Sequence, residues 1–511
     1  MNLKKPTLML PVHSILTALS LTLVSVRGNP ADSGGNTVGT VQQQGGITIT
    51  SSGGWLEAGF ARWSNMADAT GYSVYCKPAT GADTTYAKVP AELVRGTRAD
   101  IPGLPGKQSY DIKVVPVVGG VEATAKSSVV RIETQAHDRS GFAFDKRSPR
   151  GALGTSGGYN PDGAADPAAT ILYISEATKD SVQMTVVKGS KSTTATGLVA
   201  IQDARSKAKN PAPLIVRFLG TVTPPAGLDA DRLKMMQLKD SGNVTYEGIG
   251  PDAGLDGWGL DFQRCSNVVV RNLSFKGQPE DQLSFQSNCL NLWIHNNDHS
   301  PGKGLAGGES DKVAGDGTLD IKSGSGWVSV DYNHYQGTQK TSGVGFGKDT
   351  TALMMTFHHN FYDICGSRMP RISYVSMHVY NSYFKEAQVY CIAAAHGCSA
   401  FIENNYFEKC ARPMIIASQG HDLDSSGQST LSKNDGGAIK AQGNFMDAFS
   451  ADPTRFDPAI DASPGPAVKG GAVYNNFHAG FGSDYSYTLD TPEDAKAKVL
   501  RFAGRMTDNA L

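Results

Sequence analysis

From about residue 47 to 134 the chain alternates apolar and polar positions in short runs, as in GYSVYCK, QSYDIKVVPV and SSVVRIE, with Gly or Pro between them. A period of two buries one side of each run and wets the other, so these runs predict the strands of a small antiparallel β-sandwich over residues 47–135. Residues 136–164 include the Gly- and Pro-rich stretch HDRSGFAFDKRSPRGALGTSGGYNPDG and predict a linker to a second domain. Beyond it the pattern changes. NVTYEGIG, NVVVRNLSF, NLWIHNND, WVSVDYNHY, LMMTFHHNFY, MHVYNSYF and AFIENNYF share a short β-branched or apolar run, an Asn near its end and usually an aromatic just after. The closing positions Phe275, His299, Tyr335, Tyr362, Phe384 and Phe407 are separated by 24, 36, 27, 22 and 23 residues, and a period near 23 with one long insertion signals a solenoid.

The fold class expected over residues 165–511 is therefore all-β, a parallel β-helix in which inward residues of each turn stack on their equivalents in the next. Asn at the bends can hydrogen-bond along the stack and tolerate left-handed backbone angles, which explains its recurrence without any function. Cys265 and Cys289 hold equivalent places in successive turns and should stack, at a spacing that permits a disulfide without requiring one. The polar insertion SPGKGLAGGESDKVAG after His299, and a second from Ser418 to Gly437, should lie outside the coil, where long insertions collect on the binding face. Near the end, Thr491 as N-cap and Pro492 open a helix that would cover an exposed edge.

Composition narrows the partners. With 47 basic and 48 acidic residues among 511, no overall field advertises nucleic acid or membrane, so a charged partner must meet a local patch. The 58 glycines suit many short strands and tight turns. Lys4 and Lys5 precede the uncharged stretch Pro6–Val26, which reads as a secretory signal over residues 1–28, with a polar linker over 29–46; Pro11 and His13 argue against a membrane anchor. The expectation is a secreted, monomeric protein, free of the membrane after signal removal. Seven cysteines leave at least one thiol unpaired, and none has zinc-finger spacing with His.

The candidate chemistry lies between Asp281 and Arg371. Asp316 and Asp320 flank DGTLD at a strand entrance, and Asp281 from an earlier turn could supply a third carboxylate for a hard cation; acids at such entrances are more often turn formers. Lys340 lies about one turn after Asp320, and Arg368 and Arg371 one turn later, so a solenoid would bring them to one face. A surface ion-pair ladder would look the same and be worth little. Arg, however, suits a planar carboxylate, and adjacent cations repel unless an anion joins them. Of His358 and His359, neighbours on a strand, at most one can face the cleft.

These residues carry a resemblance. NVTYEGIG, GLDFQRCSNVVVRNLSF, NLWIHNND, DGTLDIKSGSGWVSVDYNHY, FHHNFYDICGSRMPRI and ENNYFEK resemble, in consecutive order over roughly residues 165 to 445, the motifs of pectate lyases of polysaccharide lyase family 1. The resemblance implies a right-handed parallel β-helix and calcium-assisted β-elimination on polygalacturonate. It implies that Asp281, Asp316 and Asp320 bind Ca2+, Lys340 binds substrate and takes part in catalysis, Arg368 is the catalytic base, and Arg371 contacts substrate. The family usually has a further Arg where this chain has Ser373, a change expected to weaken the grip on a uronate carboxylate. The N-terminal sandwich is similar to a fibronectin type III domain, with Trp63 ahead of GYSVY and Leu104 six residues before Tyr110. Two other readings stay open: a non-catalytic pectin-binding or surface protein on the same scaffold, and a polygalacturonase-type hydrolase. The second needs a carboxylate acid–base pair, and no adjacent Asp-Asp or Gly-His-Gly is present.

Overall fold

Three ladders of parallel strands build the larger part of the protein, and the chain visits them in turn. One coil, for instance, is Gly317–Ile321, Gly326–Asp331 and His334–Gln336. The first ladder runs from Met235–Lys239 to Met414–Ile416, the second from Thr170–Ile174 to Ala438–Gln442 and the third from Ser274–Lys276 to Phe445–Asp447. This is the expected parallel β-helix. The structure, a computed structural model, describes residues 41–43, 46–228, 234–304, 313–346, 353–395, 397–410, 412–416, 421–423, 429–431, 437–447, 485–506 and 508. The expected signal segment lies outside the described residues, as does much of both insertions. No helix among the described residues is long and apolar enough to cross a membrane.

Register explains the stacking. Val268, Leu292, Val328, Met355, Met377, Ala400 and Ile439 sit side by side on successive strands of the second ladder, all buried. The closing aromatics form one continuous pile: Phe275 on His299 at 5.2 Å, then Tyr335 at 4.7, Tyr362 at 5.0, Phe384 at 4.7 and Phe407 at 4.5 Å, with ring planes within 13°. Each such pair adds about 0.5–1.5 kcal/mol beyond its buried area.

The bends divide the labour expected of Asn between two adjacent columns. Asn272, Asn296, Tyr332, His359, Asn381 and Asn404 take the left-handed backbone, with φ between 48° and 53°. The next residues, Asn297, Asn333, Asn360, Ser382 and Asn405, run the hydrogen-bond ladder. The Asn297 amide donates to Asn333 Oδ1 at 3.1 Å, Asn333 to Asn360 Oδ1 at 3.0 Å, Asn360 to Ser382 Oγ at 3.2 Å and Ser382 to Asn405 Oδ1 at 2.9 Å. Cys265 and Cys289 do stack, but as thiols. All seven cysteines are free and buried, and Cys265 and Cys289 donate to the carbonyls of Leu238 and Phe262.

Helix α1, Leu198–Ala208, lies at the start of the coil and buries Leu198, Ile201, Gln202 and Arg205, the i, i+3, i+4, i+7 face. Helix α2, Pro492–Phe502, begins where Thr491 Oγ1 accepts from the Asp494 amide at 3.2 Å. It lies against the third ladder, where Lys496 meets Glu408 and stands over the Tyr383 and Tyr406 rings.

The N-terminal strands form two antiparallel sheets enclosing Trp63, Val74, Ile112, Val114 and Val130. Val41–Gln43 adds a strand by pairing with Ser128–Val130. This sandwich is fixed to the coil: Ile249 enters its core, Arg95 reaches Asp252 at 2.9 Å and the Ile249 carbonyl, and Arg139 holds the buried Glu57. Residues 136–164 run across the second ladder with Phe142 fully buried. There Ser329 Oγ donates to the Ser140 carbonyl, and the Ser156 amide donates to Asn267 Oδ1.

Candidate active site

Alternation on the first ladder decides which side chains face out. Leu283 and Leu319 point into the core, as do Phe262, Phe285, Ile321, Val344 and Ile372. The residues between them form an outward column in register: Asp261, Ser284, Asp320, Gly343, Arg371 and Ala393. Asp320 and Arg371 therefore lie two rungs apart on one face, about 10 Å at the usual strand spacing. Gly343 lets the Phe346 ring and Asp320 Oδ1 close in between them, since a Cβ there would run into the ring and lie 2.9 Å from that oxygen.

Asp281 and Asp316 stand just before their strands, as turn residues would; Asp281 turns toward this column, while Asp316 faces Lys340 and does not gather with Asp281 and Asp320 into one cluster of ligand atoms. Asp281 Oδ1 accepts from the Gly317 amide at 3.0 Å, and Asp320 Oδ1 from the Gly343 amide at 2.9 Å. A Cβ added at Gly317 would lie 2.8 Å from both Asp281 Oδ1 and Asp320 Oδ1, so the two oxygens flank a single point that only glycine leaves clear. Burial, then Asp320, push the Asp281 carboxyl up to about 7; Lys322 opposes this and Asp316 adds to it.

Lys322 is the residue that sequence reasoning missed. Its Nζ lies 2.7 Å from Asp320 and 3.2 Å from Asp281. Burial disfavours its charge, but Asp320 and Asp281 outweigh burial and raise its pKa. Two residues beyond Asp320 in DIK, it shares that residue's face, and this parity was the available signal. Lys340 reaches Asp316 at 3.3 Å. Ser367 bridges to Lys340, and the Arg368 carbonyl accepts from the Ser342 amide at 2.6 Å, so the backbone of Arg368 is pinned beside the Lys340 strand with its side chain partly exposed. Arg371 stands 5.9 Å over the Phe346 ring. The six expected residues thus share the first ladder and its entrances.

Neither His358 nor His359 joins them. Both are buried at the end of a second-ladder strand, one against Tyr380 and one against Tyr332. Ser373 is closed to solvent, and its hydroxyl has no hydrogen-bond partner. A hollow of about 490 Å³ belongs to the third ladder, lined by Lys276, Asp298, His334 and Arg505, and holds none of the expected residues. The outward column of the first ladder points away from the core of the coil yet is largely covered, with Asp261, Ser284, Asp320 and Ala393 buried and Arg371 half-buried.

The chain is similar to known proteins. The family model described as pectate lyase matches residues 168–507. A pectate trisaccharide-lyase of Bacillus licheniformis is 26% identical over 322 residues, 62% of this chain and 81% of the relative. Pectate lyase 3 of Pectobacterium carotovorum is 29% identical over 180 residues, covering 34% of this chain and 48% of that protein. The solved pectate lyase of Bacillus sp. N165 in complex with trigalacturonate superposes with a TM-score of 0.50 at 21% identity, over 73% of this chain and 100% of that one, a likeness of fold.

Proposed function

This chain belongs to the pectate lyase family and is an enzyme of that kind, and from that premise we propose that it cleaves polygalacturonate by calcium-dependent β-elimination, giving unsaturated oligogalacturonides. One observation carries the reading: two buried carboxylates crowd the point above Gly317 on the same outward column as Arg371. Burial and the nearby Asp320 make Asp281 resist ionising, and a divalent cation beside it would offset that cost. Asp281 and Asp320, joined by Asp316 once it leaves Lys340, would give an all-oxygen donor set that fits a hard ion such as Ca2+. When bound there, the ion supplies positive charge that draws electron density from a uronate carboxylate and makes the carbon-5 proton more acidic.

The chain's own residues account for the rest. Lys340 and Arg371 hold uronate carboxylates along the ladder, Arg371 through a planar pair of donors. Lys322, now paired with Asp320 and Asp281, is released to the substrate when those acids are otherwise neutralised. Arg368 takes the carbon-5 proton. The electron pair of that C–H bond becomes the new double bond to carbon 4, and the carbon 4–oxygen bond breaks to free the chain end. An arginine accepts a proton only in its neutral form, so the role assigned to Arg368 requires that form in the substrate complex.

The N-terminal sandwich, taken as residues 47–135, is read as a fibronectin type III-like accessory module. Support comes from its two antiparallel sheets, the buried Trp63 and the Tyr110 hydroxyl donating to the Pro105 carbonyl at 3.3 Å, a link that resembles a tyrosine corner. Secretion fits both the leading segment and a polymeric substrate too large to enter a cell. The test is incubation with polygalacturonate and Ca2+, with and without chelator, following ultraviolet absorbance of the unsaturated product. Calcium-dependent absorbance is expected. New reducing ends without absorbance would mean hydrolysis, and binding without either would mean a non-catalytic role.

A further inference from the structure

The structure holds a second cluster of metal-ligating side chains, on another ladder and away from the acids already described. Asp138, His358 and His359 each offer one ligand atom, and these atoms lie within 4.8 Å of one another; no other such triple of His, Cys or acid occurs among the described residues. Asp138 belongs to the segment crossing the second ladder, while the two histidines end the strand Leu353–His358. The imidazoles meet Nδ1 to Nδ1 at 3.0 Å, and Asp138 Oδ2 lies 4.0 Å from His358 Nδ1.

Proton placement shows that the cluster is incomplete. His359 Nε2 lies 2.9 Å from Asp490 Oδ2, so that nitrogen carries the proton and Nδ1 presents a lone pair. His358 Nδ1 must then hold a proton to donate across the 3.0 Å gap, which leaves His358 Nε2 as a bare lone pair. That nitrogen is buried and has no hydrogen-bond partner. The buried Asp331 carboxyl lies 3.9 Å from it and is itself bonded to the Trp293 indole at 2.8 Å.

We propose that Asp138, His358 and His359 bind a borderline divalent transition ion such as Zn2+, which clasps the 136–164 segment to the coil. An ion facing both Nδ1 atoms moves the His358 proton to Nε2, where it points at Asp331. Each histidine then has a carboxylate behind it, Asp490 for one and Asp331 for the other, the usual outer support of an imidazole ligand. Two imidazoles and one carboxylate suit zinc and disfavour calcium, which takes oxygen. Metal–nitrogen bonds of about 2.1 Å spanning the 3.0 Å gap enclose roughly 90°, so a tetrahedral ion needs the rings to part by a few tenths of an ångström. Ring stacking on Tyr380 and Tyr332 already fixes both imidazole planes. Burial keeps His358 neutral, with its pKa pushed down to about 3, as a ligand requires. The Asp138 side chain is 36% exposed and gives the ion a way in.

Calorimetric titration of the chelator-stripped full chain with Zn2+, in excess Ca2+ so that the calcium acids are filled, tests this directly. We expect one Zn2+ per chain, loss of that binding in Asp138→Asn and His359→Gln, and about 10- to 100-fold weaker binding in Asp490→Asn. Asp320→Asn should bind Zn2+ as the unaltered chain does. Because His359→Gln could unfold locally, visible absorption of Co2+ bound to the unaltered protein gives an independent reading of nitrogen and oxygen ligands. Absence of saturable Zn2+ binding in Ca2+, or binding unchanged by both Asp138→Asn and Asp490→Asn, overturns the proposal.

Discussion

Replacing Asp281 by Asn separates the cost of this carboxylate to the fold from its use to a metal. Its folded pKa stands at about 7 against an ordinary 3.8, roughly three pH units. At 1.36 kcal/mol per unit the charged form is disfavoured by about 4 kcal/mol, an upper figure for a side chain only 8% exposed. The folded state binds the extra proton between pH 3.8 and about 7, so stability falls as pH rises through that window and the full cost is felt above it. Asn keeps an oxygen to accept from the Gly317 amide and removes the charge. In chelator near pH ~8.5, Asp281→Asn should therefore melt higher than the unaltered protein, on the order of 5 °C for a coil of this size. Near pH ~4 the difference should vanish. Adding Ca2+ should reverse the order, because only the intact acid set gains binding energy. Differential scanning calorimetry at both pH values, with and without Ca2+, reads all four cases. A variant that melts lower than the parent in chelator near pH ~8.5 would refute the crowded-carboxylate reasoning.

Arg368→Ala should remove turnover on polygalacturonate by about 1,000-fold or more, the scale of losing a proton-transfer group, while circular dichroism stays unchanged because the residue sits on an outer face. Gly317→Ala would place a methyl group 2.8 Å from Asp281 Oδ1 and Asp320 Oδ1. It should fold, since the carboxylates can swing aside, but bind Ca2+ at least about tenfold more weakly by calorimetry. Asn333→Ala removes the donor to the Ile294 carbonyl and the acceptor of the Asn297 amide, both buried. Denaturant unfolding should report a loss of about 3 kcal/mol, and a loss below ~1 kcal/mol would mean the ladder is not what secures the bends.

Much of the coil was legible because a solenoid repeats in sequence what it repeats in space. The aromatics Phe275 to Phe407 announced a stack by their spacing alone, and they form one. The asparagines were read less finely. One residue was expected both to bend the chain and to bond along it, whereas the backbone hands the bend to Asn296, Tyr332 or His359 and the bonds to the residue after. That split depends on one peptide's orientation, which composition does not reveal. Helix α1 gave no start signal, since Gly197 precedes it with no side-chain cap. In the site, the acids, Lys340 and Arg371 followed from the spacing of successive turns and from the family resemblance, but nothing in that spacing singled out Lys322. Its importance comes from Asp281 in the preceding coil, 41 residues away. The cluster of Asp138 with His358 and His359 joins segments more than two hundred residues apart, and no local pattern could have brought them together.

The central claim is that one outward column of the first ladder, with its strand entrances, holds both the cation and the acidic sugar. Crystals of the Arg368→Ala protein grown with Ca2+ and trigalacturonate measure this most directly. The expected result is metal density bounded by oxygens of Asp281, Asp316 and Asp320, with Lys340 and Arg371 on uronate carboxylates of a sugar chain lying along the ladder. Metal or sugar settled on another face of the coil, with those acids still paired to Lys322, would contradict it.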